Sequence, residues 1–141
     1  MIVASSKMSR RAIPYTPCRR PLSELVVALV DVAGVHLRDQ EPFNLDNDTT
    51  LRVIPGNADT SHLMISHAHY DHADADGDVN LMFPLDRLRE LAAAGEIGGV
   101  ADEHYSLGYA VSLREVYERV APEIADAIEH SKTDAVLLTA G

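Results

Sequence analysis

At 141 residues, with 46% apolar and 24% charged side chains, the chain fits one compact domain with a core of its own. No stretch approaches the roughly 20 unbroken apolar residues of a membrane span, the start lacks the apolar middle of a signal peptide, and the single cysteine, Cys18, excludes an internal disulfide, a zinc ribbon and a Cys-x-x-Cys redox pair; a cytoplasmic protein away from membranes is expected. Five basic and no acidic residues precede Pro21, whereas seven basic residues face all 22 acidic ones from there on, and a body that acidic repels nucleic-acid backbones.

Residues 1–24 hold Pro14, Pro17 and Pro21, which forbid a continuous helix, together with Lys7, Arg10, Arg11, Arg19 and Arg20. They are expected to form an extended arm ahead of a single domain over 25–141, with Met8 as an alternative start. Cys18 lies beside Arg19 and Arg20, a setting that favours thiolate, although a lone exposed thiol is more often incidental than catalytic. Leu25 to Val32 is continuously apolar and β-branched, which predicts a strand buried on both faces and ended by Gly34. "RDQEPFNLDNDTT" reads as turns, "LRVIP" as a short strand stopped by Pro55, and "HLMIS" at 62–66 as another. "PLDRLRELAAAG" predicts a helix, with Pro84 in its first turn, Leu85, Leu88 and Leu91 on one face and Gly95 just past its end. A second helix opens with the capping box Ser112 to Glu115 and carries the stripe Leu113, Val116, Val120, Ile124 and Ile128, with a kink imposed near Val120 by Pro122. "DAVLLTAG" begins a last buried strand.

Strands alternating with helices, the strands apolar throughout, predict an α/β fold: a mainly parallel sheet, flavodoxin-like or related, with helices on both faces. Ligands in such sheets bind beyond the carboxyl ends of the strands, and three strand ends carry polar residues here: His36, the cluster "HAHYDH" and Thr139. A strand running on through that cluster would set His67, His69 and Asp71 on one side, competent ligands for zinc or iron, and with His72 they would serve a metal-dependent hydrolase. The spacing is similar to that of the metallo-β-lactamase superfamily, but Ala73-Asp74 stands where that superfamily usually has a glycine-containing pair, and only His104 and His130 remain downstream. An EF-hand beginning at Asp74 fails, because Val79 stands where glycine is needed and Leu85 where glutamate is needed. The same imidazoles also suit acid, base or anion-binding roles near neutral pH, or a purely structural polar loop. The chain has no Gly-x-Gly-x-x-Gly, Walker-type loop or Gly-x-Ser-x-Gly.

The stretches "PYTPCRRPLSE", "VALVDVAGVHLRDQEPF", "ISHAHYDHADADGDVN", "FPLDRLRELAAAGEIGGVADEHYSLGY" and "DAVLLTAG", in this order from Pro14 to Gly141, together resemble the selenoprotein B family of glycine, sarcosine, betaine and D-proline reductases. "HYSLGY" is one residue shorter than the usual family pattern, and Cys18 replaces a commonly aliphatic residue. The resemblance implies reductive cleavage by a selenolate or thiolate, with a second thiol resolving the product. It places selenocysteine or cysteine directly after Gly141, so the chain is expected to lack its C-terminal part and to be inactive alone. It further implies an amino acid or related carboxylate as substrate, a partner reductase subunit and a thiol electron donor; a homo-oligomer is expected only through the apolar edge that a missing C-terminal part would leave exposed. By position, His36, His67, His69 and Asp71 become candidate catalytic residues, and His104, Tyr105 and Thr139 candidate substrate-binding residues, with His72 and Asp74 structural. Besides the metal-dependent hydrolase, a non-catalytic subunit that binds a small carboxylate stands as an alternative.

Overall fold

In the computed structural model residues 16–140 are described; residues 1–15 of the expected arm, with Met8 and Pro14, and Gly141 lie outside them. After a 3-10 turn at Leu22–Glu24 the elements are β1 (Val26–Asp31), β2 (Val35–Leu37), β3 (Leu51–Pro55), β4 (Leu63–Ile65), α1 (Ala73–Gly77), α2 (Leu85–Ala93), β5 (Gly99–Val100) and β6 (Glu103–Leu107). A helical stretch follows, α3 (Leu113–Glu115) passing through a π-helical segment (Val116–Val120) into α4 (Ala121–Glu129), and β7 (Ala135–Thr139) comes last.

β1 is the centre of the main sheet, with five of its six residues buried. β7 pairs with it in parallel along one edge, from Val27↔Ala135 to Asp31↔Thr139, and β5 and then β6 pair with it in parallel along the other. β3 lies antiparallel against β6, and β2 and β4 form a separate antiparallel ladder. Alternate residues of β1 serve two cores. Val27 and Leu29 pack with Ile54, Phe83, Leu85 and Leu88, while Val30 packs with Tyr105, Leu107, Val120 and Ile124.

The expected architecture, a mainly parallel flavodoxin-like sheet layered between helices on both faces, does not form. The sheet is mixed and curls into a half-barrel, and helix makes up only 32% of the structure. An apolar run reports that a strand is buried but not which way its neighbour runs. Parallel neighbours need a crossover of a dozen residues or more, usually a helix. β2, β3 and β4 follow one another with no α-helix between them, and each finds an antiparallel partner.

Local signals fared better. The buried first strand, the two short strands and the helix capped by Pro84 and Gly95 lie where expected, with Gly95 at φ +75° past the helix end. Ser112 Oγ accepts from Glu115 N–H as the capping box requires. Pro122 has no N–H to give, and the π-helical segment, closed by Ala121 N–H to Val116 O, absorbs the disturbance just before it. Leu113 and Leu91 leave their expected stripes and are exposed.

Candidate functional site at the strand ends

The carboxyl ends of β1, β6 and β7 meet at Asp31, the last residue of β1 and fully buried. Ser106 on β6 donates its hydroxyl to one carboxylate oxygen at 3.1 Å, and Thr139 on β7 donates to the other at 3.3 Å. The backbone N–H groups of Ala33 and Val35 complete four donors from three segments, with no cation among the described residues. Burial nevertheless pushes the Asp31 carboxyl up to about 6, against the opposing pull of those donors.

Past Asp31 the chain turns through Gly34 at φ +75°. Its N–H donates to Leu107 O at 2.9 Å and its carbonyl accepts from Ser66 N–H at 2.9 Å, so the 66–72 loop rests on this turn. A Cβ on Gly34 would lie 2.4 Å from Ser66 O, which only glycine avoids. His36 secures the same junction from below. Its Nδ1–H donates to Leu37 O at 2.8 Å, and its Nε2 lies 2.9 Å from Ser66 Oγ. It is 2% exposed, so this candidate catalytic residue supports the loop and does not face solvent.

The histidine cluster is not a strand. β4 ends at Ile65 and residues 67–72 bend, so His67, His69 and Asp71 do not share a sheet face. His67 Nδ1 accepts from His69 N–H at 3.1 Å, and its ring lies 4.6 Å from Tyr70 and 5.9 Å from Tyr109. The His69 ring stacks on Tyr109 at 3.5 Å. Burial, then the neighbouring His69 and His72, lowers the His67 pKa and favours its neutral form. Tyr70 donates its hydroxyl to Ala33 O at 2.8 Å. Burial, then the charges of Asp31 and Asp76, pushes that phenol up to about 12. The half-buried His67 and the exposed His69 thus sit on a loop tied to the turn that follows a buried carboxyl, a setting suited to holding an anion or passing a proton.

The remaining candidates are dispersed. Asp71 accepts from Ala73 N–H at 3.1 Å and opens α1. His72 lies 3.0 Å from Asp76 through Nδ1 and 3.1 Å from His67 O through Nε2. Among the described residues no three His, Cys, Asp or Glu side chains gather as metal ligands; of the expected set, His67, Asp71 and His72 bond to backbone groups and His69 stacks on Tyr109.

His104 is fully buried in β6, where its Nδ1 accepts from Leu29 N–H at 2.8 Å. Four steps along β1, from Val26 to Val30, match six along its partner, from Gly99 to Tyr105. The two extra residues form a bulge in which Asp102 O turns to Gly56 N–H, and the imidazole serves the Leu29 N–H that this bulge bypasses. The opposite nitrogen, Nε2, must carry the proton and has no partner among the described residues. Burial, followed by the charge of Arg89, lowers this imidazole to about 4. Tyr105 is buried in the second core with its hydroxyl on Glu103, and Thr139 alone of the three substrate-binding candidates reaches the strand ends.

Asp31, Ser106, Tyr70 and Tyr109 were not among the expected site residues. Asp31 had a signal, a lone acid at the end of an otherwise apolar run; β6 had none, because His104 and Ser106 look too polar for a central strand.

The family described as glycine/sarcosine/betaine reductase selenoprotein B matches residues 9–141. D-proline reductase subunit gamma of Acetoanaerobium sticklandii is 41% identical over 128 residues, 90% of this chain and 53% of that protein. Glycine reductase complex component B subunit gamma of Carboxydothermus hydrogenoformans is 29% identical, covering 90% of this chain and 30% of that protein. Betaine reductase complex component B subunit beta of Peptoclostridium acidaminophilum is 36% identical over 52% of this chain and 17% of that protein. The chain spans about half the length, or less, of these curated relatives. No solved structure matches it at a significant level.

Proposed function

Since the chain belongs to the glycine/sarcosine/betaine reductase selenoprotein B family, we propose that it supplies part of a reductase component, working beside other subunits as its relatives do, and that the carboxyl ends of β1, β6 and β7 are where the chemistry takes place. The observation that carries this reading is the meeting of Asp31, Ser106 and Thr139 at these strand ends, with the His67–Tyr70 loop tied to the turn just beyond Asp31 by Ser66 N–H to Gly34 O and by the Tyr70 hydroxyl to Ala33 O. A selenocysteine or cysteine following Gly141 would emerge at this edge. Its anion would attack the carbon that bears the amino group, a Se–C or S–C bond forming as the C–N bond breaks and the amine leaves with a proton; a second thiol would then attack that selenium or sulfur, releasing the carbon as a protonated, reduced product and leaving a selenenylsulfide or disulfide for a dithiol to reduce. Neutral His67 and the His69 imidazole stand ready to donate a hydrogen bond to the anion or to a substrate carboxylate. The substrate class is a small amino acid or its N-alkylated relative.

Reading the codon after Gly141 is the first test. UGA or a cysteine codon supports the proposal, and any other residue at that position sinks it. In protein carrying that residue, His67→Ala combined with His69→Ala is expected to lower substrate-dependent oxidation of a dithiol by about 10²-fold or more, the usual scale for losing a positioned acid or base.

A further inference from the structure

We propose that Asp31 is a positioning residue of the strand-end site: its carboxylate sets both where β7 delivers the chain and where the Gly34 turn holds the His67–Tyr70 loop. The inference rests on the reading of these strand ends as the reaction site. Asp31 is sealed from solvent, and a buried carboxyl with no cation beside it is a costly way to fill a core. A carboxylate does what an apolar or hydroxyl side chain cannot, accepting four hydrogen bonds at once. Its four donors belong to three separate pieces of the site, namely the turn (Ala33 and Val35 N–H), β6 (Ser106) and β7 (Thr139). A fourth piece joins indirectly, because the Tyr70 hydroxyl donates to the carbonyl of Ala33. Tyr70 is the titratable group shown to sense Asp31, and no Lys, Arg or His among the described residues acts on its carboxyl.

Protonation of Asp31 would turn one acceptor site into a donor, and only a hydroxyl partner can answer by reversing its bond, since a backbone N–H cannot accept. Thr139, the longer of the two hydroxyl contacts at 3.3 Å against 3.1 Å for Ser106, is the partner expected to reverse. The carboxylate therefore receives the Thr139 hydroxyl, and the neutral acid donates to it, which changes the geometry at the end of β7.

The test is an NMR titration of the chain between pH 4 and 8, following the amides of Gly34 and Thr139. Both are expected to shift with a midpoint near 6. Thr139→Val, which removes a donor to the ionised form, should raise that midpoint by about half a unit or more, and Ser106→Ala should do the same. Asp31→Asn should abolish the inflection, whereas His67→Ala plus His69→Ala should leave it in place, separating it from imidazole titration. A Thr139 amide that is flat across the range, or an inflection that survives Asp31→Asn, overturns the proposal. If Asp31→Asn does not fold, an unmoved midpoint in both donor variants overturns it equally. The titration needs no turnover, so a reductase assay that fails in longer protein while the inflection persists counts against the reaction and not against the role of Asp31.

Discussion

Asp31 and His104, buried on paired strands, titrate in opposite senses over one interval of pH. The folded state raises Asp31 from 3.8 to about 6, so the stability it contributes is fully present below pH 3.8 and is lost as pH rises through 6. The folded state lowers His104 from 6.5 to about 4, so its contribution is fully present above pH 6.5 and is lost as pH falls through 4. Each shift corresponds to about 3 kcal/mol at full separation, and between pH 4 and 6 the two slopes oppose each other. Asp31→Asn should leave a protein whose stability rises with pH over that window. His104→Asn, which can still accept from Leu29 N–H, should leave one whose stability falls. Denaturant midpoints collected at several pH values decide this, and slopes in both variants parallel to the parent would refute the assignment. The histidines of the 67–72 loop were legible in the sequence as chemistry but not as geometry. Their spacing fixes a face only if the backbone is extended, and the chain bends at Ser66 to lie on Gly34.

At the scale of elements, the junction between β1, the Gly34 turn and the loop is the most constrained. Gly34→Ala would combine a left-handed backbone with a Cβ at 2.4 Å from Ser66 O. We expect a loss of about 2 kcal/mol or more, together with weaker contact between His69 and Tyr109, read as a lower denaturant midpoint and a changed Tyr109 fluorescence or ring resonance. The cap of α3 makes a milder case. Ser112→Ala removes the acceptor for Glu115 N–H and should cost about 1 kcal/mol with an unchanged denaturant slope. Such devices are readable from sequence because they are local, a cap and its donor lying three residues apart. β6 was not readable in the same way. His104 and Ser106 are accepted in a buried strand only because Leu29 N–H and Asp31, 75 positions away, need them.

For the whole molecule, the mixed sheet leaves β7 as an edge. Val136, Leu137 and Leu138 on it are all exposed, Leu138 by 73%. An apolar edge of this kind invites pairing with another copy. Leu138→Lys is expected to reduce self-association of the chain at high concentration, measured by light scattering, without lowering its denaturant midpoint, because the side chain packs against little that would be lost. An unchanged scattering profile would argue that association, where it occurs, uses another surface. The acidic balance acts at this scale too. Arg52, Arg87, Arg89, Arg114 and Arg119 each lie within salt-bridge distance of a carboxylate, which spends most of the body's few cations on its own surface.

The sequence by itself determined the buried first strand, the short strands that follow it, the helix between Pro84 and Gly95, the capped and kinked second helix, and the family through five ordered motifs. All of these rest on signals carried by neighbours along the chain or by residue identity at fixed spacing. Only the tertiary structure decided that the sheet is mixed, that His104 plugs a bulge and that Asp31 gathers three strand ends. The reason is physical. Strand direction and buried polar pairs depend on partners distant in sequence, and a residue's type records that it needs a partner without recording which one.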